Sequence, residues 1–123
     1  MLKMTINTRE FLPRASQQGQ LAPAEWIYKD PVSPLGDDSI TLMTKYAVGN
    51  APVDKSNLTM KQAATVVSDG ISVRPYQPAT LRVECIFDRN TPKADKTAYL
   101  NDLVKVLADP QVIASIVDAQ PTL

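Results

Sequence analysis

Between Ala79 and Asp88 the chain alternates: Leu81, Val83, Cys85 and Phe87 are apolar, while Thr80, Arg82 and Glu84 are polar or charged. Successive side chains of a strand point to opposite faces, so this segment predicts a strand with one covered and one wet face, as in an antiparallel sheet. The period then changes. Leu100, Leu103, Val104 and Leu107 recur at the i, i+3, i+4, i+7 spacing of an amphipathic helix, and Tyr99 and Val106 widen its stripe. Val112, Ile113, Ile116 and Val117 repeat the pattern on a second, shorter helix. Punctuation marks the ends. Thr91 is placed to cap the first helix, with Pro92 at its first position and Asp95 in its opening turn; Asp109 and Pro110 repeat the device, and the second helix is expected to stop before Pro121.

Upstream the pattern is β-rich. Leu2, Met4 and Ile6 alternate with Lys3, Thr5 and Asn7, and Glu10 to Pro13 reads as the returning arm of a hairpin within residues 1–14. Ala15 to Ala24 reads as a loop, Glu25 to Lys29 as a short strand carrying Trp26 and Tyr28, and Asp30 to Asp38 as a break. Ile40, Leu42, Thr44, Tyr46 and Val48 form one face of a longer strand whose other face presents Thr41, Met43, Lys45 and Ala47, with Gly49 to Ser56 as its turn. From Asn57 to about Val67 the next strand puts Asn57, Thr59, Lys61 and Ala63 on one side and Leu58, Met60 and Ala64 on the other. Ser68 to Gln77, with its Asp-Gly and Arg-Pro pairs, reads as a connecting loop. The expected fold class is α+β: a β-hairpin at 1–14, an antiparallel sheet at 25–88 interrupted by the loop at 68–77, and two helices at 91–119. One domain of 123 residues is expected, with nothing left for another.

Charge narrows the function. Thirteen Lys and Arg balance thirteen Asp and Glu, so the overall basic charge usual in nucleic-acid binding is missing. Contact with a polyanion must then rest on cations gathered on one face, and Lys45, Lys61 and Arg82 are the candidates, partly offset by Glu84. There is no histidine, which removes the commonest general base and metal ligand, and no glycine-rich phosphate loop precedes a helix. No catalytic residue, cofactor or metal is expected, and the chain does not read as an enzyme. Asp37 and Asp38 follow Pro34 and Gly36 and read as solvated turn charge rather than a cation site. The single cysteine, Cys85, reads as a small buried hydrophobe on its strand face. With no long apolar run and no signal-peptide pattern, a soluble, unexported protein is expected. A domain this small also leaves apolar area for a partner.

The segment Val106-Leu-Ala-Asp-Pro-Gln-Val-Ile-Ala-Ser-Ile-Val-Asp-Ala-Gln-Pro-Thr-Leu123 resembles the closing helix of the coat proteins of single-stranded RNA bacteriophages, the Qbeta-like leviviruses. Leu58-Thr-Met-Lys61 resembles the strand motif with which those proteins contact RNA, and the resemblance spans roughly Ile40 to Leu123. It implies the levivirus coat protein fold, in which the two helices cross onto the sheet of a partner chain. Tyr99, Leu100, Leu103, Val104, Leu107, Val112, Ile113 and Ile116 would then lie at the dimer interface. Homodimers would join through the loop Ser68, Asp69, Gly70, Ile71, Ser72, Val73, Arg74, Pro75, Tyr76 and Gln77 into an icosahedral shell, assembled in the bacterial host cytoplasm and ending in the virion.

The resemblance further implies an inner surface against genomic RNA formed by Thr41, Met43, Lys45, Asn57, Thr59, Lys61, Thr80, Arg82 and Glu84, and repression of replicase translation through an operator hairpin. Relatives hold unpaired adenines between a Thr and Ser on one strand and a Thr and Lys on the next. Thr59 and Lys61 match the second pair, whereas the positions expected for the first are Lys45 and Ala47, which lack the hydroxyls. The loop cysteines that cross-link some relatives are also absent. The alternative is a dimeric RNA-binding regulator of similar fold that does not assemble.

Overall fold

A computed structural model of the protein describes residues 1–19, 21–29, 31, 37–50, 52–63, 66–68, 71–73 and 77–120, with the side chains of 66–68, 72 and 73 excepted. Along these residues run β1 (Met4–Ile6), β2 (Arg9–Ala15), β3 (Ala24–Tyr28), β4 (Asp38–Lys45), β5 (Val53–Gln62), β6 (Val66–Ser68), β7 (Ile71–Val73), β8 (Ala79–Asp88), α1 (Lys93–Ala108) and α2 (Pro110–Asp118). One sheet has the order β1-β2-β3-β4-β5-β8, antiparallel from β1 through β5, and β6 pairs separately with β7. The chain divides into two compact units, Met1–Ile86 and Phe87–Leu123.

In the first unit the core gathers Phe11, Ala24, Trp26 and Ile40, with Met4, Ile6, Tyr28, Leu42 and Met60 packed against them. Strand alternation makes this possible. Trp26 lies opposite Ile40, which lies opposite Met60, so one face of three neighbouring strands is apolar. The hairpin is tied in through Phe11, fully buried and opposite Met4, and through the Trp26 indole, whose Nε1–H donates to the Leu2 carbonyl at 2.9 Å.

One charged group belongs to this interior. Asp38 is 5% exposed, so it is a buried strand residue and not the solvated turn charge expected. The Arg9 guanidinium pairs with one Asp38 carboxylate oxygen, and the Ala63 N–H donates to the other at 2.7 Å. Arg9 also donates to Gln62 Oε1 at 3.3 Å and lies 5.3 Å over the Phe11 ring and 5.6 Å over that of Tyr28. Burial of the carboxylate is tolerated because both its oxygens have donors. Its partner is 29 residues away, beyond the reach of any local pattern.

Other boundaries move as well. β4 ends at Lys45, so Tyr46 and Val48 lie past it and are exposed. The connection lies earlier than Gly49 to Ser56: it begins after Lys45, Gly49 sits at φ +59°, where a side chain is strained, the Ala47 N–H donates to Asp54 Oδ1 at 2.5 Å, and β5 is under way by Val53. Where β3 stops opposite Leu42, the Gln17 side chain takes over: its Nε2 donates to the Thr44 carbonyl at 2.7 Å and its Oε1 accepts from the Thr44 N–H at 2.9 Å. The expected loop from Ser68 also needs correction. Ser68 pairs with Ile71, Ser72 with Val67 and Val73 with Val66, so Ser68, Ile71, Ser72 and Val73 are hairpin residues. Two short β-branched runs around Asp-Gly are a hairpin signal. Asp69, Gly70, Arg74, Pro75 and Tyr76 lie outside the described residues. Cys85 is half-buried, less covered than expected.

In the second unit the two helices start differently. Asp109 caps α2 as expected, its carboxylate accepting from the Gln111 N–H at 2.8 Å with Pro110 at the first position. Thr91 does not cap α1: Pro92 is itself the cap residue, and no side chain caps the N–H groups of the first turn. The Lys96 N–H donates to the Pro92 carbonyl, so the helix starts one residue later than the Thr-Pro pattern suggests. Asp109→Ala should therefore cost about 0.5–2 kcal/mol in thermal denaturation, while Thr91→Ala should leave the midpoint unchanged. The Phe87 and Tyr99 rings stack with centroids 6.5 Å apart. At the far end Ala119 takes the left-handed conformation and the Ser115 hydroxyl donates to the Gln120 carbonyl.

Candidate nucleic-acid and assembly surfaces

The face of the sheet opposite the core is built by the β4–β5 register. Ser39 lies across from Lys61, Thr41 from Thr59, Met43 from Asn57 and Lys45 from Lys55. β8 flanks β5 on its other side, where Lys55 Nζ meets Glu84 Oε1 at 3.5 Å and a depression of about 270 Å³ is lined by Asn57, Leu58, Thr59, Arg82, Val83 and Glu84. Thr80 shares the alternation of Arg82 and Glu84 along β8. The register thus brings together the residues expected on one wet face.

It also overturns one expectation. Lys45 lies across from Lys55, and Ala47 lies beyond the strand, so neither is the neighbour of Thr59 or Lys61. Those neighbours are Thr41 and Ser39, and the hydroxyls thought absent are present. Equal spacing along the chain does not fix pairing; the position of the connection between Lys45 and Lys55 does, and it shifts β4 by several residues relative to β5. Ser39 was missed because Asp37-Asp38-Ser39 reads as turn residues, although it lies two positions before Thr41 and so on the same face.

Chemically, this row offers three hydroxyls that both donate and accept, the three donors of the Lys61 ammonium, and an apolar wall at Ile27, which is opposite Ser39 on β3. Beyond Ile27 the surface opens into a groove of about 480 Å³ lined by Leu12, Pro13, Arg14, Ile27, Lys29 and Asp37. Lys45, Lys55, Lys61 and Arg82 outnumber Glu25 and Glu84 on the face, so a chain of zero net charge still presents cations here.

The helices form the other candidate surface. No residue of α1 or α2 is buried within the chain. Tyr99, Leu100, Val104, Leu107, Ile113 and Ile116 are exposed, and only Leu103 and Val112 of the expected interface set are half-buried. On the sheet Leu58 and Leu81 are exposed too. Among the described residues no cluster of His, Cys, Asp and Glu is grouped to hold a metal, and no helix is long and apolar enough to cross a membrane.

No protein-family model and no curated protein matches this sequence. Solved structures do. A chain from the virus-like particle of Beihai levi-like virus 21 is similar over 100% of this chain and 98% of its own, with a TM-score of 0.80 and 20% identity. One from the virus-like particle of bacteriophage NT-214 is similar over 99% and 95%, with a TM-score of 0.70 and 23% identity, and the bacteriophage GA capsid protein over 92% and 85%, with 0.68 and 15%. The chain has the levivirus coat-protein fold. The likeness is wider than the motifs at Leu58–Lys61 and Val106–Leu123 implied, since it also takes in the hairpin and β3. At such identities the coat-protein fold persists through its apolar positions and element order rather than through particular residues.

Proposed function

We propose that this protein is the coat protein of a single-stranded RNA phage: it dimerises, assembles into a closed shell that becomes the virion, and carries its genome against the sheet face opposite the core. The observation that supports this reading most is that α1 and α2 bear a continuous apolar stripe of which nothing is buried within the chain. Covering a Leu, Val or Ile side chain is worth about 1.5–3 kcal/mol, so a second chain laid over these helices gains far more than a surface salt bridge offers. A shared fold with chains of virus-like particles makes another copy the natural cover.

The polar face favours RNA as cargo. Cations on one face suit phosphates without regard to sequence, and the Ser39, Thr41, Thr59 and Lys61 row suits the edge of an unpaired base, as in the adenine pockets of the levivirus coat proteins. The same row favours an operator hairpin and repression of replicase translation as a second role. Assembly in the host cytoplasm follows from the packaging of a freshly made genome. No bond-making step is required of any residue.

Electron microscopy of the purified recombinant protein is the test. Closed spherical particles with an absorbance spectrum showing encapsidated RNA are expected. A clean dimer across a range of salt and protein concentration would overturn the capsid reading in favour of a non-assembling RNA-binding regulator.

A further inference from the structure

On the strand-paired face, Lys45 and Lys55 stand directly opposite each other, and Glu84 on the next strand reaches Lys55 at 3.5 Å. We infer that this triad is a phosphate-exchange site, in which Glu84 occupies the place of an RNA phosphate until RNA displaces it. The inference rests on the proposed RNA-facing role of this surface and adds to it a defined point of backbone contact.

Two like charges across a ladder sit with Cβ atoms roughly 5 Å apart, which destabilises the pair unless an anion lies between or beside them. Here the anion is Glu84, and it reaches one side only. The ion pairs among the described residues do not include Lys45. With the Lys55 and Glu84 side chains 44% and 49% exposed, the pair is open to water and exchanges readily. A phosphate has three things the carboxylate lacks here: access to both ammonium groups at once, a tetrahedral array of acceptors, and delivery by a polymer already held nearby. It also releases condensed counterions as it docks.

The spacing fits a strand of RNA. From the Thr41–Thr59 row to the Lys45–Lys55 row is four residues along the strand, roughly 13 Å, which is a nucleotide or two of extended backbone from the hydroxyl row. The hydroxyl row would thus take a base while the lysine row takes a neighbouring phosphate, fixing both position and direction of the chain.

The experiment uses the full-length protein held below its assembly concentration and titrated with a short fluorescein-labelled single-stranded RNA across a potassium chloride series. Glu84→Gln is expected to tighten binding about two- to fivefold at low salt, the range spanned by an exposed ion pair, while lowering the thermal midpoint of the free protein. Lys45→Ala with Lys55→Ala is expected to flatten the log–log salt slope by about 0.7, the value for one phosphate contact to a single strand, since both lysines serve the same phosphate. Lys45→Gln alone should raise the midpoint, because it relieves the like-charge opposition. A purely structural ion pair predicts a lower midpoint for Glu84→Gln with no gain in affinity, and that result overturns the inference. So does an unchanged slope in the double lysine variant when Lys61→Ala flattens it, which leaves the RNA face standing without this site. If the unaltered protein shows no salt-dependent binding, the RNA-facing reading itself fails, and the inference with it.

Discussion

Leu103→Asp should leave no soluble, folded protein, whereas Lys105→Asp, two residues away on the same helix, should fold and associate as the unaltered chain does. Leu103 is half-buried in the isolated chain, with Leu100, Val104 and Leu107 exposed on the same stripe, while Lys105 is exposed on the polar side. If a partner covers the stripe, a carboxylate at 103 is buried with no donor, a penalty that a small domain cannot absorb. The milder Leu103→Ala should cost about 2–5 kcal/mol, and a symmetric dimer carries the site twice. Because the uncovered monomer would expose both its helix stripes and part of its sheet, folding and dimerisation should form one concentration-dependent transition. Analytical ultracentrifugation with circular dichroism reads both properties. A folded, monomeric Leu103→Asp protein would show that the helices need no partner, and the dimer would have to be abandoned.

Arg9→Met is expected to destabilise the chain strongly, although Arg9 is not itself a core residue. It strips the buried Asp38 carboxylate of its cation and removes a guanidinium lying over two aromatic rings. Breaking a buried ion pair from one side costs about 3–5 kcal/mol, and the partial exposure of Arg9 puts the expectation near the lower end. Arg9→Met combined with Asp38→Leu should recover much of that loss, because both charges are then gone from the interior. Urea denaturation of the single and double variants makes the comparison. A double variant no more stable than the single would show that the hydrogen bond from the Ala63 N–H to Asp38, rather than the charge pair, holds this corner together.

What could be read from residue order alone was whatever a short window determines. β8 runs from Ala79 to Asp88 as its alternation indicated, and the Asp109-Pro110 cap lies where the dipeptide placed it, because both depend on neighbours within a few residues. Asp38 misled because a buried carboxylate and a turn carboxylate look alike until the partner is known, and Arg9 comes from another strand. Ser39 and Thr41 were separated from Thr59 and Lys61 by a turn whose length decides the register, and a shift of a few residues exchanges every cross-strand neighbour. The stripes on α1 and α2 were legible as apolar but silent about what they touch, since an amphipathic helix records a need for cover and not its source.

The grip of Gln17 on Thr44 bears on how this chain avoids polymerising wrongly. Beyond Leu42 the β4 backbone has lost β3, and an N–H and C=O pointing the same way would offer any passing strand a docking point. Gln17 answers both groups with one primary amide, whose geometry copies that of a peptide. If copies of this chain crowd together as the proposed shell requires, sealing that stub with a side chain removes a nucleus for cross-β stacking. A single rotatable amide, rather than added length of strand, thereby covers the open end of the ladder.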